Sequence, residues 1–167
     1  MNPDDLKKLK VTGSCTMGNL QDADLRGIDL RSVNLLAANL SGANLSGVDL
    51  RNANLSGANL CNANLSGANF SEVNLRVGIF RHEYMMGDEL CADWIYNEVN
   101  LCGANLARAN LTGALLNEAN LIGANLRDAN LTRTDFSEAI LKEANLEGAC
   151  LVGTIFEDSE VPGYEVI

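Results

Sequence analysis

The amino-acid sequence predicts an all-β solenoid, a stack of coils made from short extended segments and corners, and three features predict it. A period of five runs from Gly18 to His82 and again from Val99 to Asp158 in a chain of 167 residues. That period fits neither the helical repeat of about 3.6 nor the strand repeat of about 2, so no single regular element accounts for it. Apolar residues make up 47% of the chain but aromatics only 5%, so the core must be built from Leu and Ala instead of interlocking rings.

Taking the large apolar residue as the centre of each unit gives thirteen centres from Leu20 to Phe80 and twelve from Leu101 to Phe156, and of these 25, 21 are Leu and four are Phe. Ala stands two positions before the centre in 16 units, and Asn or Asp immediately before it in 20. Positions two apart on an extended segment point the same way, so Ala and Leu face inward and the Asn between them faces out. The last two residues of the unit turn the chain. Ten of the 15 glycines fall at the final position, where a type II turn demands positive φ. Four such corners close a square coil of twenty residues.

Units such as Ala43-Asn44-Leu45-Ser46-Gly47 resemble those of the pentapeptide repeat proteins, whose pattern is Ala-(Asn/Asp)-Leu-x-x. The resemblance implies a right-handed quadrilateral β-helix of about six coils in two stacked blocks, roughly 30 Å tall at about 4.8 Å per coil. It is most like the small cyanobacterial-type members, several of them soluble proteins of unassigned or regulatory role. Other members resemble a DNA duplex in size and charge and bind type II topoisomerases.

Residues 1–12 are expected to form an N-terminal helical cap: Asn2-Pro3-Asp4-Asp5 has the order of N-cap, proline and acidic first turn, with Leu6 and Leu9 resting on the first coil. Block one spans 13–82, with Cys15 as the centre of one degenerate unit, and block two spans 99–158. The inward core includes Leu45, Leu60, Phe70, Phe80, Leu121, Phe136 and Phe156. A four-sided coil stacks residues twenty apart, so Phe136 lies on Phe156, Thr134 on Thr154, and the pair Asp29 and Arg31 on Asp49 and Arg51. Residues 159–167 form a C-terminal cap or tail, with Tyr164 and Val166 as candidate lids after Pro162-Gly163.

Between Phe80 and Leu101 the spacing is 21, one more than a coil, and forcing the repeat through it buries charge at Glu83, Asp88 or Asp93. An excursion over 83–98 avoids this. Asp88 reads as an N-cap, and Leu90, Cys91, Trp94 and Ile95 recur at helical spacing, so the expectation is a short amphipathic helix docked on the side of the stack. The segment holds the only Trp, and its Leu90, Trp94, Tyr96, Glu89 and Asp93 are the candidate residues for binding another protein. The alternative is that they merely cover the break.

An axis packed with Leu leaves no interior room for a substrate, and nothing in the sequence assembles a catalytic constellation. His82, the only histidine, has no sequence-evident nucleophile or carboxylate partner, and the glycines follow the repeat instead of a phosphate-loop spacing. The expectation is no enzyme, no cofactor and no metal. Five cysteines without a C-x-x-C pair suggest reduced thiols. The net charge of −10 is unevenly spread: residues 18–82 sum to 0 and residues 83–98 to −5. Neither a basic patch for nucleic acid nor an apolar run for a membrane is present, and the start lacks signal-peptide character, so a soluble cytoplasmic protein is expected. The leading reading is a non-enzymatic scaffold, a monomer or weak end-to-end dimer, that binds a protein partner. The alternative is a DNA-mimicking modulator of a type II topoisomerase, against which the neutral first block counts.

The inward and outward assignments predict that Leu60→Ala costs about 2 to 5 kcal/mol in denaturant melts, and Ser56→Ala no more than roughly 0.5.

Overall fold

The computed structural model describes residues 1–71, 73–76, 78–86 and 89–161, with residues 78–86 and 89–97 defined by their backbone. Helix α1, Pro3–Thr12, opens the chain: the Asn2 side chain accepts from the Asp4 N–H at 3.1 Å, Pro3 takes a first-turn position, and Gly13 closes the helix at φ 66°. Leu9 is only 2% exposed and Leu6 packs against the core, so the apolar edge of α1 covers the first coil. The helix also satisfies that coil's free edge. Asp5 Oδ2 accepts the Asn19 N–H at 2.8 Å, and the Asn2 N–H donates to the Asn19 carbonyl at 2.8 Å.

Beyond Gly13 the chain coils with parallel bridges between residues twenty apart, Asn34 to Asn54 and Asn39 to Asn59 among them. One unit, Ala38-Asn39-Leu40-Ser41-Gly42, shows where every backbone donor goes. Ala38 N–H closes the preceding turn on Leu35 O at 3.0 Å, Asn39 N–H reaches back to Gly18 O at 2.8 Å, and Leu40 and Gly42 reach forward to Asn59 O at 2.7 Å and Cys61 O at 2.9 Å. Ser41 N–H meets no carbonyl and is taken by Asn39 Oδ1 at 3.1 Å. This is why Asn or Asp recurs: a short side-chain acceptor makes an Asx turn to the one donor that stacking leaves over. In the middle of the stack these amides are half-buried and some also bridge coils, as where Asn125 Nδ2 donates to Asn105 Oδ1 at 3.1 Å.

The unit's last residue has positive φ at the corners from Met17 to Gly67 and from Gly103 to Asp158, including thirteen that are not glycine, such as Asp22 at 56° and Glu138 at 60°. Leu45, Leu60, Phe70, Leu121 and Phe136 are fully buried along the axis. Phe136 stacks on Phe156 with centroids 5.5 Å apart and rings 8° from parallel, and the inward hydroxyls of Thr134 and Thr154 donate to Leu111 O and Leu131 O at 2.7 and 2.8 Å. Phe156 is half-buried, a correction to its expected place in the core, because it belongs to the last coil. There Leu151 and Ile155 are 39% and 46% exposed.

The interruption departs from expectation. It is an antiparallel β-hairpin, β1 Gly78–Met86 and β2 Glu89–Asn97, and not a helix over 83–98. The helical spacing of Leu90, Cys91, Trp94 and Ile95 competes with aromatic and β-branched residues at Ile79, Phe80, Tyr84, Trp94, Ile95 and Tyr96, which favour a pleated surface. Met86 pairs with Glu89, so two residues join the strands; the expected N-cap Asp88 lies outside the described residues, as do the candidate lids Tyr164 and Val166.

Phe80 is part of β1, opposite Ile95, and not a centre of block one, which ends with the Leu75 unit. Across the hairpin the bridges jump from a separation of 20 to one of 41, as in Asn59 to Asn100, and then return to 20. The stack therefore closes as though residues 77–97 were absent. Arg76 followed by Glu98-Val99-Asn100-Leu101 would complete a unit in register, with Glu98 at the corner position that Glu118 and Glu138 also occupy. Ser56 is only 8% exposed, which corrects its outward assignment: its corner lies one coil below the Arg76 corner from which the chain leaves, with Gly57 N–H bonded to Arg76 O at 3.0 Å. Lys142, which is exposed, is the proper outward control.

Deleting residues 77–97, so that Arg76 joins Glu98, is expected to leave a cooperatively unfolding solenoid with an unchanged β-type circular dichroism spectrum. Loss of cooperativity would show that the hairpin holds the two stacks together.

Candidate functional site

The hairpin sets out the five candidate binding residues along one strand. β2 places Leu90 opposite Met85, Trp94 opposite Arg81 and Tyr96 opposite Ile79, while Glu89 and Asp93 stand opposite Met86 and His82. Strand alternation gives Leu90, Trp94 and Tyr96 one parity, shared through pairing with Arg81 and Glu83, and the two acids the other, shared with Phe80, Tyr84 and Ile95, so each face of the hairpin mixes apolar and charged positions.

The stack offers walls instead of a cleft. Its inward positions are filled, and the depressions among the described residues lie on the outside. One open groove of about 650 Å³ is lined by Ser66, Gly67, Ala107, Arg108, Arg127 and Asp128. No group of three or more His, Cys, Asp or Glu side chains suited to a metal occurs among the described residues, and no described helix is long and apolar enough to cross a membrane.

Three Asp–Arg pairs neutralise one another on the wall of the first block. Asp24 binds Arg26 at 2.7 Å, Asp29 binds Arg31 at 2.6 Å and Asp49 binds Arg51 at 2.7 Å, and the last two pairs stack on successive coils. Each carboxylate also accepts the N–H two residues on, so the Asx turn holds the acid while the arginine folds back over it. The side-chain hydrogen bond from Arg26 holds the Asp24 carboxyl at about 2, and that from Arg31 does the same for Asp29.

Two further clusters were hidden in the sequence because the hairpin shifts the register. Arg76 Nε donates to Asn117 Oδ1 at 3.1 Å, Asn117 Nδ2 to Asp135 Oδ2 at 2.7 Å, and Ser137 Oγ to Asp135 Oδ1 at 2.6 Å. Burial pushes the Asp135 pKa up, but the bonds from Ser137 and Asn117 and the charge of Arg76 outweigh it and leave the carboxyl below its ordinary range. This chain of contacts anchors the corner where the hairpin departs. Separately, Cys61 and Cys102 occupy equivalent positions on adjacent coils, with Asn62 N–H bonded to Cys102 O at 2.8 Å. A search at spacing 41 instead of 20 finds both clusters.

The pentapeptide repeats family model matches residues 19–57, 38–76, 97–133 and 119–158, in eight copies. This chain belongs to the pentapeptide repeat family. Among solved structures, the pentapeptide repeat protein Rfr23 from the cyanobacterium Cyanothece 51142 is 30% identical, with 95% of this chain and 97% of that one covered and a TM-score of 0.37. HetL from the cyanobacterium Nostoc sp. strain PCC 7120, a pentapeptide repeat protein involved in heterocyst differentiation regulation, is 28% identical over 92% of this chain and 70% of its own, also at 0.37. A pentapeptide repeat protein of the Arabidopsis thaliana thylakoid lumen is 24% identical over 80% and 64%, at 0.43. No curated protein matches this pentapeptide repeat chain.

Carboxyls held near 2 in the folded chain, against about 3.9 for a free Asp, stabilise the fold fully above the free value. That contribution is lost as pH falls from about 4 toward 2, and it is small because both pairs are exposed. An NMR titration should place the Asp24 and Asp29 midpoints near 2, and Arg31→Gln should return Asp29 toward the free value while leaving Asp24 unchanged.

Proposed function

We propose that this pentapeptide repeat protein is a non-enzymatic scaffold, a right-handed quadrilateral β-helix that binds another protein through the hairpin and the wall beside it. One observation carries the reading: the coils bond directly across the hairpin, Leu60 N–H to Asn100 O at 2.6 Å and Asn62 N–H to Cys102 O at 2.8 Å, so the solenoid does not need the hairpin to close. An element that the stack leaves out of its own register is the natural place for recognition. Trp94 and Tyr96, with Leu90 on the same strand parity, supply the aromatic content that anchors protein interfaces, and Glu89 and Asp93 supply charge selectivity. The filled axis gives a small-molecule substrate no enclosed site, which supports a surface role over catalysis.

DNA mimicry is less favoured, since the paired Asp and Arg residues of the first block remove the continuous negative wall that a duplex presents.

The deciding experiment is a quantitative pull-down from the source lysate with the intact chain, with the form lacking 77–97, and with Trp94→Ala and Tyr96→Ala. A specific partner held by the intact chain and lost from all three variants, each folded by circular dichroism, is the expected result. Retention of that partner by the deletion form would sink the hairpin reading and move binding to the walls. In parallel, supercoiling by a type II topoisomerase should be unaffected; salt-sensitive inhibition would favour the mimic.

A further inference from the structure

Cys61 and Cys102 are 41 residues apart, a separation that matches no multiple of the twenty-residue coil. Only because the hairpin stands outside the register do they become neighbours. The bridges Asn59 to Asn100 and Asn64 to Asn105 flank them on both sides, and each follows a buried core leucine, Leu60 or Leu101. In-register residues on adjacent strands lie about 4.8 Å apart, inside the roughly 4.4 to 6.8 Å window of Cα separations that a disulfide spans. Both side chains are half-buried on the outer wall and both are free thiols. The ladder bonds on either side, Leu60 N–H to Asn100 O at 2.6 Å and Asn62 N–H to Cys102 O at 2.8 Å, hold the two residues side by side, and burial, with Cys102 as its neighbour, pushes the Cys61 pKa up.

We propose that Cys61 and Cys102 form a reversible redox site, a disulfide that staples the coil before the hairpin to the coil after it. The co-reactant is a small-molecule disulfide such as oxidised glutathione. The Cys61 thiolate attacks one sulfur of that molecule, breaking its S–S bond, forming a mixed disulfide and releasing one thiolate. The Cys102 thiolate then attacks the Cys61 sulfur, forming the Cys61–Cys102 bond and expelling the second small thiol. Two protein thiols are oxidised, one small disulfide is reduced to two thiols, and the two protons leave with them. Excess reduced thiol runs the same steps backward.

The staple's position gives it a consequence. The bond encloses the whole hairpin in a covalent loop whose ends lie on neighbouring coils, so oxidation fixes the arm by which the hairpin rejoins the stack. Cys15 is buried beneath α1, and Cys150 lies on the exposed last coil beside Thr132, so neither competes for this partner.

The test is equilibration of the full native chain in oxidised glutathione, alkylation of free thiols, and mapping of disulfides by tryptic digestion and mass spectrometry. The peptides carrying Cys61 and Cys102 should be recovered joined, with fragmentation assigning the bond to those two residues and not to Cys91. The yield should be roughly tenfold or more above that from the chain oxidised in urea, as expected when the fold holds both sulfurs together. Cys61→Ser should leave Cys102 as a glutathione adduct or free thiol, and Cys102→Ser should do the same for Cys61; if either serine variant fails to fold, the alanine variant takes its place. Glutathione adducts that persist on both cysteines of the native chain overturn the proposal. So does pairing of either with Cys91 or Cys150, or a yield no higher in the native chain than in urea.

Discussion

The whole structure turns on one backbone donor in each five-residue unit. Stacking satisfies three of the five N–H groups with carbonyls of neighbouring coils and the preceding turn satisfies a fourth, so the residue after the core leucine is left facing none. Asn39 Oδ1 takes that donor from Ser41, as Asn120 Oδ1 takes it from Ile122 and Asp24 Oδ1 from Arg26. Once that side chain is fixed, the rest of the unit follows. Ala and Leu on either side are committed inward, the next two residues must turn, and the axis fills with aliphatic carbon. A protein made this way spends its interior on its own coherence and has only its outside with which to do anything else.

That economy explains why so much of the fold was legible. Period, core column and corner residues all express the same constraint, and the helix start in Asn2-Pro3-Asp4-Asp5 obeys an independent capping rule that holds at any helix. Legibility failed where the repeat fell silent. Leu90, Cys91, Trp94 and Ile95 fit a helical stripe, yet the same stretch alternates well enough to make a strand, and a run of so few residues does not separate the two. The Gly87-Asp88 dipeptide between apolar runs was a two-residue hairpin signal that the helical reading set aside. Phe80 looked like a core centre because it kept the period by coincidence, and Ser56 looked exposed because a local pattern does not report what lies over a corner.

The corners show how far the pattern tolerates compromise. Glycine suits positive φ, yet Arg108, Glu118, Arg133 and Glu143 hold the same conformation at φ near 60°. A left-handed residue with a side chain costs on the order of 1 to 2 kcal/mol, and the ladder bonds on both sides hold the corner against it. At some corners the choice is also steric. A side chain on Gly42 or Gly148 would run into the carboxylate of Asp22 or Asp128 in the coil before, so these glycines answer to their neighbours as well as to their own backbone.

The seam at the hairpin bears on how the chain assembles. Elsewhere, adding a coil means closing a loop of twenty residues, but joining the two stacks means closing one of 41. Doubling a flexible loop adds only about 0.6 kcal/mol of closure entropy, and a preformed hairpin inside it shortens the effective length. The ladder across the seam is as tight as elsewhere, with Leu60 N–H to Asn100 O at 2.6 Å and Phe70 N–H to Asn110 O at 2.7 Å, so once the larger loop has closed, the junction between the coil of Leu60 and the coil of Leu101 is held like any other in the tower.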